Sequence, residues 1–358
     1  MAKRINLAVI MGGPSSEHEV SLNSGINILN ALDKSKYNIK IVKIEKNGKW
    51  LVSPGFIREL PEKNGSSLVE SSINSVKPIS GSLAVDMMDN EKIDVGVIAM
   101  HGKFGEDGTI QALFDLAGIP YTGSGVLASA LAMDKIKSNE LYQFHGLKVP
   151  KYMAFTKNNL EEKKNELIAF ADQWATVLKP SDGGSSKGTY IIKNSRDFLA
   201  KVGEAFEFSD SLMLQEQILG AELTCAVLEI DSRPKALPPT QIIPKNGEFF
   251  DFEAKYVVGA SEEITPAPQP ENIIKALQKD ALLAHGVLGC RGMSRTDFIL
   301  RGGELFILET NTIPGMTATS LLPQAAAADN INYTELLDIL IQGALDKNSG
   351  TEHDRRND

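Results

Sequence analysis

The sequence predicts an α/β protein of more than one domain, and three observations carry that reading. Its first hundred residues alternate apolar runs and amphipathic stretches in the order strand, helix, strand, which is the signature of a parallel sheet. Its 358 residues exceed the usual size of a single domain. Hydrophobic residues at 42% and charged residues at 23% are the proportions of chains that bury substantial cores.

Taken in order, Ile5 to Ile10 reads as a strand. A glycine turn follows, then a helix to about Leu32 whose apolar face is Val20, Ile26, Leu29 and Leu32. Tyr37 to Glu45 and Ile93 to Met100 are further strands. Between them, 54–90 is polar and rich in Ser and Asn, and is expected to be a weakly structured insertion. A helix over Thr109 to Ala117 precedes one long helical pattern from Val126 to about His145, and Pro150 marks a boundary. Strands at 152–156, 175–179, 190–193 and 212–218, with helices at 160–172 and 197–206, make a compact α+β unit. A strand at 223–230 leads into a Pro-rich loop, then come a helix over 272–285, two strands around Asp297 and Leu305–Leu308, and a last helix near 335–346. The expected units are 1–134, 135–219 and 220–346, with the polar tail 347–358 disordered. No internal repeat is visible.

A net charge of −9 and a pI near 5.3 argue against nucleic acid or an anionic membrane as the main partner, so any phosphate must be held by a local basic pocket. Cys225 and Cys290 lie far apart and outside any paired motif, which implies neither a disulfide framework nor zinc and suits a reducing cytoplasm. The start, MAKRINLAVIMGG, is better read as a first core strand than as a signal peptide, because Asn6 interrupts its short apolar part. No apolar segment is long enough to span a bilayer.

The most informative stretch is LFILETNTIPGMTATSLLP. A polar pair, Glu309 and Asn311, ends an apolar strand there, and residues two apart on a strand share a face. Asp297, on the preceding strand, brings a third hard oxygen donor to the same point, a set that suits magnesium carried by a nucleotide. Taken singly, each is more often an ordinary strand-end residue. The turn Ile313-Pro314-Gly315, able to aim backbone amides at an anion, tips the balance towards function.

Four more constellations carry chemistry. Lys179-Pro-Ser-Asp-Gly-Gly-Ser-Ser-Lys-Gly puts a lysine at a strand end before a glycine loop whose amides can approach phosphate, though a plain hairpin loop is an equal reading. Gly12 to Ser21 lies between strand and helix, at the ligand-binding end of a parallel sheet. Its plainer reading makes Ser15 or Ser16 a helix cap and Glu17 and Glu19 first-turn charges. His101 to Gly108 follows another strand at the same end, where a lone histidine is usually structural. Asp251 to Tyr256, alone, is a solvated surface.

Together, GGPSSEHEVSLNSG, HGKFGEDGTIQALFDLAGIPYTGSG, AMDK, KPSDGGSSKG, FEAKY, GMSRTDF and ETNTIPGMTATSLLP resemble the D-alanine–D-alanine ligase family of the ATP-grasp superfamily, in family order from about Ile5 to Leu345. The resemblance implies an α/β ATP-grasp fold of three domains, the first a parallel-sheet (preATP-grasp) domain. It implies ATP-dependent joining of two D-alanine molecules through an acyl phosphate, for peptidoglycan precursors, by a cytoplasmic homodimer with two Mg2+ (or Mn2+). By the same resemblance, metals sit on Asp297, Glu309 and Asn311, and ATP meets Lys135, Lys179, Ser186, Lys255, Gln215, Glu216, Ile218 and Glu222. Arg295 and the Gly315 amide are the implied oxyanion site. Glu17 would bind the first substrate's ammonium with His101 nearby, and Ser320 with the Leu321 amide would hold the second substrate's carboxylate. Glu17, Ser185 and Tyr256 form the implied triad that closes a loop, and the Tyr256 hydroxyl favours dipeptide over ester. Another ATP-grasp carboxylate–amine ligase would not need SSEHEVSL or the Ser320 motif, and a non-catalytic nucleotide sensor would be expected to lack Arg295 or a metal ligand.

Overall fold

In the computed structural model, residues 3–57, 65–184, 187–244, 261–317 and 319–354 are described. The amino-terminal unit begins β1 (Ile5–Gly12), α1 (His18–Ala31), β2 (Tyr37–Ile44) and β3 (Trp50–Val52). It continues α2 (Gly65–Ile73), α3 (Gly81–Asn90), β4 (Val95–Ile98), α4 (Thr109–Ala117) and α5 (Val126–Met133). Its sheet has the order β3-β2-β1-β4, with β1 parallel to both β2 and β4 and β3 antiparallel at the edge. Leu7 to Met11 are wholly buried, as a central strand covered on both faces requires.

The chain then forms α6 (Lys135–Phe144), β5 (Tyr152–Thr156), α7 (Leu160–Gln173), β6 (Thr176–Pro180), β7 (Tyr190–Ile192), α8 (Ser195–Ala205) and β8 (Ser211–Glu216). The four strands make an antiparallel sheet of order β5-β8-β6-β7, and α7 and α8 pack on it through Leu167, Ala171, Phe198 and Val202. The last part comprises β9 (Ala221–Ile230), β10 (Arg233–Ala236), β11 (Thr240–Pro244), β12 (Ser261–Ile264), α9 (Glu271–Leu288), β13 (Met293–Arg301), β14 (Glu304–Asn311), α10 (Leu321–Ala328) and α11 (Tyr333–Asp354). Its sheet runs β12-β11-β9-β13-β14, with β10 on β9.

Core membership does not follow chain order. Helix α6, expected with the central unit, buries Tyr142 among Val227, Phe298 and Ile307 of the third sheet. Helices α10 and α11 place Leu322, Leu336 and Leu340 against the first core. This return of the carboxyl terminus joins the first and third units. No helix among the described residues is long and apolar enough to cross a membrane.

Several expectations are corrected. The 54–90 stretch carries α2 and α3, which bury Val69 and Ile73, and Ala84, Val85 and Met88, on the first core. Two or three apolar contacts per short helix left little periodicity to read. The pattern from Val126 to His145 is two helices, because the Asp134 carboxylate accepts from the amides of Ile136 and Lys137 and starts α6 afresh. The Pro-rich loop contains β10, β11 and β12, and β3 was not anticipated. Helix α11 runs to Asp354.

Candidate active site

Strands β13 and β14 build the centre of the site. Their antiparallel register sets Arg295 opposite Asn311 and Asp297 opposite Glu309, so four polar side chains share one face. Phe298 pairs with Ile307, which leaves Leu308 as an extra residue, a bulge. The bulge breaks alternation, and Leu308 and Glu309 both line the cleft beneath the glycine loop. Behind this face, Thr296 and Tyr142 both hydrogen-bond the Thr310 hydroxyl, at 2.9 and 2.7 Å, tying α6 to the two strands.

Asp297 is held tightly. Arg295 donates Nε to Oδ1 and Nη2 to Oδ2, each at 2.9 Å, a two-pronged pair that fixes both planes. Thr224 donates to Oδ1 at 2.6 Å, and the Asn311 amide nitrogen reaches Oδ2 at 3.3 Å. Lys135, first residue of α6, stands 3.6 Å from Glu309 and donates to the Gly183 carbonyl at 2.7 Å, so one ammonium bridges β14 and the glycine loop.

The cleft between the second and third sheets is lined by Lys135, Lys179, Gly183, Gly184, the 215–220 segment, Glu222, Asp297 and Glu309. Gln215 is buried and its Nε2 has no hydrogen-bond partner, a donor that an acceptor on a bound molecule would satisfy. The Glu216 carboxylate accepts from Arg301 at 3.1 Å, and the residue lines the same cleft. Val177, Ile218, Ile299 and Leu308 supply an apolar lining at the same end.

Opposite the cleft lie the residues contributed by the first unit. Glu17 is buried at the start of α1, and its Oε2 would collide with a Cβ at Gly102 and would lie 2.7 Å from one at Gly184. Both positions must be glycine for this carboxylate to sit between the two units, and Gly102 also has φ +70°. Of the cap expectation, Ser15 accepts from the Glu17 amide at 3.1 Å and donates to the His101 carbonyl at 2.8 Å. Glu17 itself occupies the cap position.

His101 is buried with both ring nitrogens engaged. The Ile313 carbonyl, 3.1 Å from Nδ1, can only accept, so Nδ1 carries the hydrogen. Burial pushes the ring's pKa below its usual value against the opposing pull of Glu17, which leaves it neutral and Nε2 free to accept from the Ser24 hydroxyl at 2.7 Å. Ser24 in turn accepts from the Met316 amide at 3.3 Å. His101 therefore latches α1 to the turn that contains Gly315. Ser320 packs against Gly315 and accepts from the Thr317 amide at 3.0 Å at the amino end of α10.

Two of the residues gathered here were missed in the sequence. Ser24 lies within a quoted motif but looks like an ordinary helix serine. Glu106 accepts from the amides of Gly102 at 2.8 Å and Ile313 at 3.1 Å, and burial, reinforced by Glu17, pushes its carboxyl up to about 8. Only the GED run hinted at it. Ser185, Ser186, Lys255 and Tyr256 lie outside the described residues. Of the remaining expected residues, Lys135, Lys179, Gln215, Glu216, Ile218, Glu222, Asp297 and Glu309 line the cleft; Arg295 and Asn311 share the strand face with Asp297 and Glu309; Glu17 lies against Gly184 of the glycine loop; and His101, Gly315, Ser320 and Leu321 gather at the 313–321 turn.

Comparison with known proteins bears on this geometry. Family models of the D-ala D-ala ligase N-terminus and C-terminus match residues 6–124 and 141–342. The chain is 39% identical over 351 residues to a D-alanine–D-alanine ligase of Leptospira biflexa, covering 96% of this chain and 99% of that one. Among solved structures, the VanG D-Ala:D-Ser ligase of Enterococcus faecalis superposes with a TM-score of 0.81 at 31% identity, covering 95% and 99% of the two chains. A D-alanine–D-alanine ligase of Bacillus anthracis complexed with ATP gives 0.74 at 29% identity over 98% and 100%. With both halves matched in order and the relatives covered almost end to end, the chain belongs to the D-alanine–D-alanine ligase family.

Proposed function

We propose that this protein joins two D-alanine molecules into D-alanyl-D-alanine at the expense of ATP, through an acyl phosphate, for peptidoglycan precursor synthesis in the cytoplasm. The observation that carries the reading is the convergence of Arg295, Asp297, Glu309 and Asn311 on one face, beside a cleft lined by Lys135, Lys179 and the glycine loop against which Glu17 lies.

In this scheme the carboxylate of the first D-alanine attacks the terminal phosphorus of ATP, and ADP leaves. The free amine of the second attacks the acyl carbon, the amide bond forms, and phosphate departs with its bonding pair. Lys135 and Lys179, with Lys255, neutralise charge on the transferring group. The unpaired Gln215 amide and the apolar wall at Ile218 suit a base, and Glu222 suits a ribose. Glu17 takes the first ammonium, Arg295 and the Gly315 amide stabilise the developing oxyanion, and Ser320 with the Leu321 amide at the start of α10 takes the second carboxylate.

Asp297, Glu309 and the Asn311 carbonyl are hard oxygen donors that fit magnesium. When bound, two such ions would offset phosphate charge. The Arg295 fork now occupies both Asp297 oxygens, so metal and guanidinium compete for that carboxylate. A homodimer belongs to the same reading, and exposed Leu116 on α4 and Leu127 on α5 are apolar surface that a second copy would cover.

The test is to incubate the protein with ATP, magnesium and D-alanine and weigh the product. D-alanyl-D-alanine with ADP is expected, and L-alanine should be inert. A mixture of D-alanine and D-serine decides the acceptor, because a D-Ala:D-Ser ligase is among the similar structures. Predominant D-alanyl-D-serine, or equal ADP release with L-alanine, overturns the reading.

A further inference from the structure

Residues 313–317 form the turn on which the oxyanion amide sits, and four of its five positions are accounted for. Ile313 N–H goes to Glu106, Met316 N–H to Ser24 and Thr317 N–H to Ser320, while Pro314 has none to give. Gly315 is thus the one position whose amide none of these bonds uses. The turn is further held by the Tyr333 hydroxyl on the Met316 carbonyl at 2.6 Å.

Glu106 differs from the other two anchors in what it connects. Its Oε2 takes the Gly102 amide and its Oε1 the Ile313 amide, residues more than two hundred positions apart on the first and third units. The loop that carries it is itself braced: Asp107 accepts from the amides of Phe104 and Thr109, Gln111 donates to the Gly105 carbonyl, and Glu106 N–H returns to Gly102 O. A carboxylate is the side chain such a site demands, since both neighbours are donors and each oxygen must accept. A carboxamide would set its own NH2 against one of the two amides.

We propose that Glu106 is a positioning residue for the ligation step, clamping the loop behind His101 to the turn before Gly315 and so fixing the Gly315 amide relative to Arg295. The proposal rests on the ligase reading given above. It touches no substrate, and its effect should appear where charge develops on the acyl oxygen, not where nucleotide binds.

The experiment compares wild type, Glu106→Gln and Glu106→Asp as full chains, assayed about one unit above the carboxyl's pKa of about 8 so that the ionised form prevails. Dipeptide formation by wild type is measured first. If wild type makes none, the ligase reading fails and the clamp falls with it. For Glu106→Gln, kcat should drop about tenfold to a hundredfold while the KM for ATP stays within about twofold, the effect of a donor displaced by a fraction of an ångström. A tetrahedral phosphinate analogue of the dipeptide should lose affinity in parallel, because only it presents the oxyanion to the turn. Glu106→Asp is too short to reach both amides and should move the same quantities in the same direction; it replaces the first variant if that one does not fold. Near-wild-type kcat in either folded variant, unchanged analogue affinity, or equal losses in ATP binding, turnover and melting temperature would overturn the proposal, the last by showing a merely structural brace.

Discussion

The first and third sheets bury their central strands almost equally, yet they bury different chemistry. In β1, Leu7 to Met11 are all apolar, and the strand contributes packing alone. In β13 and β14, one face packs on the core, with Phe298 and Ile307 beside the buried Thr296–Thr310 hydroxyl pair, while the other carries Arg295, Asp297, Glu309 and Asn311 towards the cleft. A polar face that dense is costly to fold unless its groups answer one another, and here Arg295, Thr224 and Asn311 all converge on Asp297. The first sheet therefore acts as a rigid base and the third as the place where charge is managed. That contrast predicts that damage to each will register in a different measurement.

The largest effect is expected from Asp297→Asn. It removes a formal charge from the donor set, leaves Arg295 facing a neutral amide, and turns one acceptor oxygen into a donor beside the Arg295 fork. If the residue carries metal charge during transfer, kcat should fall about a thousandfold, while the weakened Arg295 pair lowers the melting temperature as a separate effect on stability. Wild-type turnover at limiting magnesium would place the metal elsewhere.

That the polar face was legible from the chain alone, and its details were not, has a physical basis. Glu309 and Asn311 are two apart on a strand, and period-two alternation is a local property that a sequence displays. The bulge at Leu308 depends on how β14 pairs with β13, and nothing local announces it. The same divide separates Glu17, read from its motif, from Gly102 and Gly184, whose need to be glycine arises only when two distant loops close around that carboxylate. Of the fold, the long strands and helices with clear periodicity were readable. Helices α2 and α3 were not, because each short element shows the core only two or three apolar residues. The paths of α6 into the third core and of α11 back to the first are tertiary choices no single segment encodes.

On the packing side of the contrast, Leu7→Ala should cost about 3 kcal/mol, because the side chain is wholly buried and the flanking strands β2 and β4 hold the cavity open. Chemical unfolding monitors the loss directly. The folded fraction should retain its kcat, since Leu7 lies at the far end of β1 from Gly12 and Gly13. A turnover defect as large as the stability defect would mean that the base and the site are less separable than the two sheets suggest.

The smallest effect concerns the exception within the first sheet. Lys40, on β2, is 1% exposed, and Glu91, at the end of α3, is the carboxylate beside it. Burial alone pushes the Lys40 pKa below its usual value, so desolvation outweighs what the pair returns. Unlike the charges on β13 and β14, this ammonium faces Phe56 and is not among the residues that line the cleft between the second and third sheets. Replacing the pair with Lys40→Met and Glu91→Gln should therefore leave dipeptide formation unchanged and raise stability by about 1 kcal/mol near neutral pH. The sign with pH follows from the lowered pKa. The unfolded chain, titrating near the ordinary value of 10.5, holds the proton more firmly than the folded one, so wild-type stability climbs as pH rises towards that value. The variant's advantage should accordingly shrink in alkali. Melting curves across that range decide the matter: a variant that is less stable throughout would show that Lys40 is a net contributor to the fold, and that polar burial in the first sheet obeys the same rule as in the third.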